Sequence, residues 1–327
     1  MEMYLFRPTD YQRLYDCSNF TSDEWTAKGN HEILHIVIPS AIIGALCLVC
    51  YLPCLWAIRS SSLWKIPCYK LMFCLGLYDL FLISVGIILS AYWNTQGYVF
   101  CSNPDVFYIF GCLVIGTWNG QIMVCLAVAI NRFSEFWKIH KLQELYKGRR
   151  IYFWLLPSAA WFIFFSCFTP PPVVTSYGIL WYYDPYLDLG VGENPDLYVN
   201  WYNATNNFIL LPIMITLYVA LLVTVRIRYK TVNKTHLLIT IQAVTVCFIC
   251  MLTTLLHAIM QLIPVPFSMI VVCLYCFVLS CGAPSIVYLT INKTIRRKVF
   301  GILFPKQFQI KSVTNVHVLR PNTVHSS

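Results

Sequence analysis

The sequence predicts an all-α membrane protein, a bundle of seven transmembrane helices with a short amphipathic helix after the last. Three observations predict it. Hydrophobic residues make up 58% of the 327 residues and charged residues 11%, with a mean hydropathy of +0.64, a composition foreign to soluble domains of this length. Seven separate apolar stretches each reach the roughly 20 residues that cross a bilayer. The loops between them alternate between basic and free of basic residues. The formal charge of +9 therefore sits in short loops rather than on one folded face, so it reports orientation and no nucleic-acid partner is expected.

Residues 1–32 form a polar amino-terminal segment without the basic start, short apolar core and cleavage site of a signal peptide, so the first span is expected to direct insertion. The transmembrane domain covers 33–291, with spans at Ile33–Ile58, Pro67–Tyr92, Asp105–Phe133, Ile151–Thr169, Asn206–Ile227, His236–Leu262 and Phe267–Ile291. Pro39, Pro53, Pro157, Pro212 and Pro284 fall inside them and are compatible with kinked helices whose neighbours satisfy the freed carbonyls.

The segments after spans one, three, five and seven carry Arg59, Lys65, Lys138, Lys147, Arg149, Arg226, Arg228, Lys230 and Arg296 to Lys298 among others. Trp93–Pro104, Pro170–Thr205 and Ile263–Pro266 hold no Lys or Arg. By the positive-inside rule the amino terminus is outside and the carboxyl terminus cytoplasmic. Residues 292–304 read as an amphipathic juxtamembrane helix, with Ile295, Val299, Ile302 and Leu303 on one side and Arg296, Arg297 and Lys298 mostly on the other, suited to rest on membrane lipid. Residues 305–327 are a short polar tail, expected to be disordered and cytoplasmic. Asn19-Phe20-Thr21 is a glycosylation sequon on the outer side, while Asn203-Ala204-Thr205 lies too close to the membrane for efficient use.

Most of the 15 cysteines lie within spans and behave there as small apolar residues. Cys17 and Cys101 are the two clearly placed in the oxidising compartment, and a disulfide between them is expected. The alternative leaves Cys17 free, with Cys101 reduced or paired to Cys167. Few polar residues interrupt the spans. Asp79 sits mid-span and must face the interior, Gln121 lies three turns before Arg132 on the same face, and Ser280 lies one turn before Pro284. Asp79, Gln121 and Ser280 can meet, as a water or cation site that changes between conformations or as a structural hydrogen-bond cluster.

Asn131-Arg132-Phe133 at the inner end of span three resembles the acidic-Arg-Tyr motif of seven-helix G-protein-coupled receptors, and Pro284-Ser285-Ile286-Val287-Tyr288 resembles their N-P-x-x-Y motif. Asp79, Trp161 and Pro212 fall where those receptors place their landmark Asp, Trp and Pro. Tyr15-Asp16-Cys17, Pro67 to Phe73, Leu75 to Asp79 and Ala129 to Arg132 resemble more narrowly the nematode serpentine chemoreceptors of class T, a likeness running from Tyr15 to Phe304. The resemblance implies a rhodopsin-like bundle at the plasma membrane, in the sensory-cilium setting of chemosensation. It also implies a small extracellular ligand, no cofactor, and a heterotrimeric G protein reached through Asn131, Arg132, Phe133, Pro284 and Tyr288. Four departures stand out. Asn131 replaces the acid that would pair with Arg132, which leaves Glu135 as a partial substitute; Ala283 stands where the motif has Asn; the second outer loop lacks cysteine; and span six lacks C-W-x-P.

Positions facing the outer half predict a ligand pocket from Phe107, Val114 and Trp118 in span three, Asn207 in span five, His257 and Gln261 in span six, and Val271 and Tyr275 in span seven. The loop Pro170–Thr205, with Asp184, Asp188, Glu193 and Asp196, reads either as an acidic lid that attracts cationic ligands or as ordinary solvated surface. Two other classes compete with this reading. An inverted seven-span ligand-gated channel is opposed by the loop charges, and a small-solute transporter by the lack of internal repeats. An enzyme is not expected, since His35, His257 and Asp79 form no recognisable catalytic set.

Overall fold

The computed structural model describes residues 1–179, 181–191, 194–228, 234–263 and 265–303. Seven apolar helices long enough to cross a membrane run over Leu34–Ser60, Pro67–Thr95, Pro104–Trp137, Arg150–Phe168, Trp201–Ile227, Thr240–Gln261 and Phe267–Thr290. They pack as a seven-transmembrane bundle, the arrangement that closes backbone hydrogen bonds within each segment. The amino-terminal segment, the loop 96–103 and the described residues of the loops 169–200 and 263–266 gather at one end, here the amino-terminal face; the terminal helix and the loops 61–66 and 138–149 gather at the other.

Span three is the axis of the bundle because its small residues let neighbours close on it. A Cβ on Gly116 would lie 1.9 Å from the Ser166 hydroxyl and 2.6 Å from the Phe162 carbonyl oxygen. Gly116→Ala is therefore expected to cost about 1–3 kcal/mol of stability, read as a lowered melting temperature in nanodiscs. Gly301→Ala, where the added carbon meets nothing within 4 Å, is the matched neutral control, and equal melting of the two would contradict this packing.

Several element boundaries differ from the sequence reading. Span five begins at Trp201 rather than Asn206, because Asn200 Oδ1 accepts the Asn203 amide at 2.8 Å and supplies the helix start. Span three continues past Phe133 to Trp137 and ends at Lys138, whose backbone is left-handed (φ 51°, ψ 42°). Pro157 stands in the first turn of the span-four α-helix, Leu156–Phe168, and so introduces no kink. Span two is not continuous α-helix: Leu82–Leu89 winds as a π-helix. The Gly86 carbonyl there accepts from the Ser90 hydroxyl at 2.7 Å and from Trp181 Nε1 at 3.2 Å, so side chains supply bonds where the helix widens.

The amino-terminal segment folds into three short helices, Glu2–Phe6, Pro8–Leu14 and Ser22–Ala27. Thr21 and Glu24 form a reciprocal capping box at the third. Trp25 is buried and donates from Nε1 to the Cys17 carbonyl at 3.1 Å. Tyr4, Tyr11, Tyr15 and Tyr108 pack ring against ring beside it. Cys17 and Cys101 are joined in a disulfide, with Cα atoms 5.3 Å apart, closing a sequence separation of 84 residues. The loop after span four contains a two-stranded antiparallel hairpin, β1 (Val173–Val174) with β2 (Trp181–Tyr182), in register Val173 to Tyr182 and Val174 to Trp181.

The last helix, Lys293–Leu303, divides the expected apolar face. Ile295 and Val299 are buried against the bundle, but Ile302 and Leu303 are 43% and 54% exposed. The expected disordered tail, 305–327, lies outside the described residues.

Candidate functional site

Beneath the hairpin loop lies a cavity of about 390 Å³ between spans three, five, six and seven. Its apolar wall is Val114, Ile115 and Trp118 from span three, Met260 from span six and Phe277 from span seven. Trp118, His257 and Phe277 pack together, with ring centroids 5.6–6.1 Å apart. His257 Nδ1 is 2.9 Å from the Thr253 carbonyl. Trp181, Tyr182, Tyr183 and Asp184 form the roof with Leu187, while Pro195 and Asp196 close one side. Asp184 Oδ1 accepts the Tyr186 amide at 2.9 Å, and partial burial raises its carboxyl pKa above the ordinary value.

A chain of amides leads away from this cavity. Trp161 Nε1 donates to Asn206 Oδ1 (2.9 Å), Asn206 Nδ2 to Asn119 Oδ1 (2.8 Å), Asn119 Nδ2 to Asn203 Oδ1 (3.1 Å), and Asn203 Nδ2 to Gln261 Oε1 (3.5 Å). Spans four, three, five and six are thus tied by one polar strip inside an apolar bundle. Asn207, buried to 2% exposure, lines the cavity, and its Oδ1 has no hydrogen-bond partner among the described residues.

Of the positions the sequence offered for a pocket, Val114, Trp118, Asn207, His257 and Gln261 line this cavity. Phe107, Val271 and Tyr275 do not. Phe107 sits two turns further along span three and packs edge-on to Trp93 at 4.9 Å. The Tyr275 hydroxyl donates to the Ile36 carbonyl at 3.2 Å, which turns that ring toward span one, and Val271 packs into the bundle core. The amide Asn119 and the roof residues had no local sequence signal. Asn119 is one polar residue in an apolar run, and the roof depends on how the loop folds back.

Halfway down the bundle, Asp79 is fully buried and accepts from Tyr51 Oη at 2.5 Å and Gln121 Nε2 at 2.6 Å. Ser280 does not complete this group: its hydroxyl donates to the Phe277 carbonyl at 2.8 Å within its own helix. Tyr51 takes the third place. Its ring also packs edge-on to Tyr288, 5.9 Å away, beside the buried Pro284 turn.

At the opposite end Arg132 is 3% exposed, and its Nη2 donates to Asn131 Oδ1 at 2.5 Å. Arg132 Nε and Asn131 Nδ2 have no partners among the described residues, and no ion pair there includes Arg132, so Glu135 does not substitute for the missing acid. Phe133 packs against Trp137, whose Nε1 donates to Thr224 Oγ1 of span five at 2.9 Å. Nearby, Asn292 Nδ2 donates to Tyr69 Oη (2.9 Å) and Gln242 Oε1 (3.1 Å), joining spans two and six to the start of the last helix. All three residues of that latch are buried. Asn19 is exposed on the amino-terminal face, while Asn203 of the second sequon is buried.

A sequence profile of the family described as serpentine type 7TM GPCR chemoreceptor Srt matches residues 2–312. The chain is also similar to serpentine receptor class T-55 of Caenorhabditis elegans, with 22% identity over 310 residues that cover 92% of this chain and 84% of that relative.

Proposed function

This chain belongs to the Srt family of serpentine seven-transmembrane chemoreceptors, and from that premise we propose that it binds a small extracellular ligand in the cavity and activates a heterotrimeric G protein at the opposite end. The observation that carries the reading is the cavity itself, partly roofed by a loop at the face whose connecting loops lack Lys and Arg. The positive-inside rule favours that face as the outer one, and membership of a chemoreceptor family suggests the plasma membrane, in the setting of a sensory cilium. The basic residues at the far end, with the exposed Ile302 and Leu303, then meet the inner leaflet.

Span six connects the two ends. It contributes His257 and Gln261 to the cavity and Gln242 to the latch. A ligand that prefers one position of span six shifts the balance between two packings by its difference in affinity for them. Release of Gln242 from Asn292 lets the inner end of span six move and opens access to Arg132, whose buried guanidinium seeks acceptors. Carbonyls at the carboxyl-terminal end of a Gα helix supply such acceptors. Asp79 enters as a structural hydrogen-bond centre held by Tyr51 and Gln121, and Ala283 lacks the amide that the receptor motif places near it.

The reading is tested by GTPγS exchange on a panel of purified Gα subunits, using the full-length receptor in nanodiscs. Exchange above empty discs on one class of Gα supports it. Failure of the receptor and of its latch-released variants on every class would overturn it.

A further inference from the structure

We infer that the cavity takes a small protonated amine on an aromatic or branched apolar body, its ammonium seated beside Asp184 and its body against Trp118 and Phe277. This rests on the reading of the cavity as the ligand site and adds the chemical class of the ligand.

Charge and shape converge on it from separate elements. Both charged side chains lining the cavity among the described residues are acidic, Asp184 in the roof and Asp196 at the side. Asp184 spends one carboxylate oxygen on the Tyr186 amide; the other has no protein hydrogen-bond partner among the described residues. Burial without a counter-charge disfavours its ionised form, and a bound cation would relieve that cost. No basic side chain of the amino-terminal segment lines the cavity. Arg7 pairs with Glu2 at 2.8 Å and Asp10 at 3.6 Å, and Lys28 lies over the Phe20 ring at 4.2 Å.

The walls favour the same ligand. Trp118, Trp181 and Tyr183 present aromatic rings to the cavity, and ring faces attract cations where water is scarce. Asn207 is a second and independent sign of an occupant, since its buried carbonyl oxygen lacks a donor within the described protein. Unpaired buried acceptors are costly, and a ligand N–H at the Asn207 end of the cavity would satisfy this one.

The test uses the full-length receptor in nanodiscs and two probes differing at one group, 2-phenylethylammonium and 2-phenylethanol, read by intrinsic tryptophan fluorescence with Trp118 and Trp181 as reporters. The ammonium should bind roughly tenfold or more tightly than the alcohol. Asp184→Asn should remove most of that preference, weakening the ammonium far more than the alcohol, and Asp196→Asn, at a more exposed position, should remove less. Equal affinity for the probes, binding of neither, or a preference that survives both substitutions would overturn the amine class. Val114→Trp, which fills the cavity, separates the two levels. If it abolishes binding of an alcohol that wild type holds as tightly as the ammonium, the ligand site stands and the amine class falls; if it leaves binding of every probe unchanged, the reading of the cavity falls as well.

Discussion

Arg132→Ala is expected to silence G-protein activation while leaving the melting temperature unchanged or raised. The guanidinium is buried with one hydrogen bond to a neutral amide, and its Nε is unpartnered among the described residues. A charge held this way costs the resting state free energy, of the order of a few kcal/mol. Alanine removes that cost together with the group proposed to meet the G protein. A residue present for structure would show the opposite pairing, with lower stability and retained signalling. Arg132→Lys should not rescue exchange, because the ammonium lacks the planar fork of donors that spreads over several carbonyls. Since no agonist is needed when basal exchange is high, the substitution is best read in a latch-released background. Normal exchange by the double variant would exclude this role for Arg132.

Gln242→Leu supplies that background and carries the second large effect. Gln242 Oε1 accepts from Asn292 Nδ2, and the same amide donates to Tyr69 Oη. Leucine removes the acceptor at similar volume, and Asn292→Ala removes both bonds at once. With each net hydrogen bond worth about 1 kcal/mol, the resting packing loses about 1–2 kcal/mol, and the active population should rise roughly 5–30-fold. Asn292 also caps the last helix, its Oδ1 accepting the Thr294 and Ile295 amides at 3.1 Å, so Asn292→Ala combines two effects and Gln242→Leu isolates one. Basal GTPγS exchange that stays at the wild-type level in Gln242→Leu, with receptor abundance matched, would show that the latch does not hold the resting state.

The parts of this account that were legible in the sequence depend on hydropathy and on loop charge. Seven spans announce themselves because a bilayer demands long apolar runs, and the basic loops alternate with the base-free ones. The π-helical stretch at Leu82–Leu89 gives no such sign. It contains no proline, and one donor that meets its Gly86 carbonyl is a tryptophan nearly a hundred residues away. The central carboxyl shows the same limit. Asp79 and Gln121 could be paired by helical position, but choosing Tyr51 over Ser280 depends on which helix closes from the far side, and Ser280 is satisfied by its own backbone.

The pocket followed the same division. Val114, Trp118, His257 and Gln261 follow from helical spacing within single spans, whereas Phe107 shares the face of Val114 yet lies too far along the axis to reach the cavity. The roof is a property of tertiary structure, since a hairpin of two-residue strands is set by what it packs on. Asn119 links Asn203 and Asn206 only because span five packs on span three there.

Orientation in the membrane decides whether the cavity and Arg132 face the compartments assigned to them. The measurement is antibody access, on intact cells expressing the full-length receptor, to a tag placed before Met1, together with glycosidase sensitivity at the exposed Asn19. The account predicts a tag reached without permeabilisation and a mobility shift that Asn19→Gln abolishes, which sets the cavity outside and Arg132 in the cytoplasm. A tag reached only after permeabilisation, with no glycan at Asn19, would turn Arg132 outward and contradict the receptor mechanism as a whole.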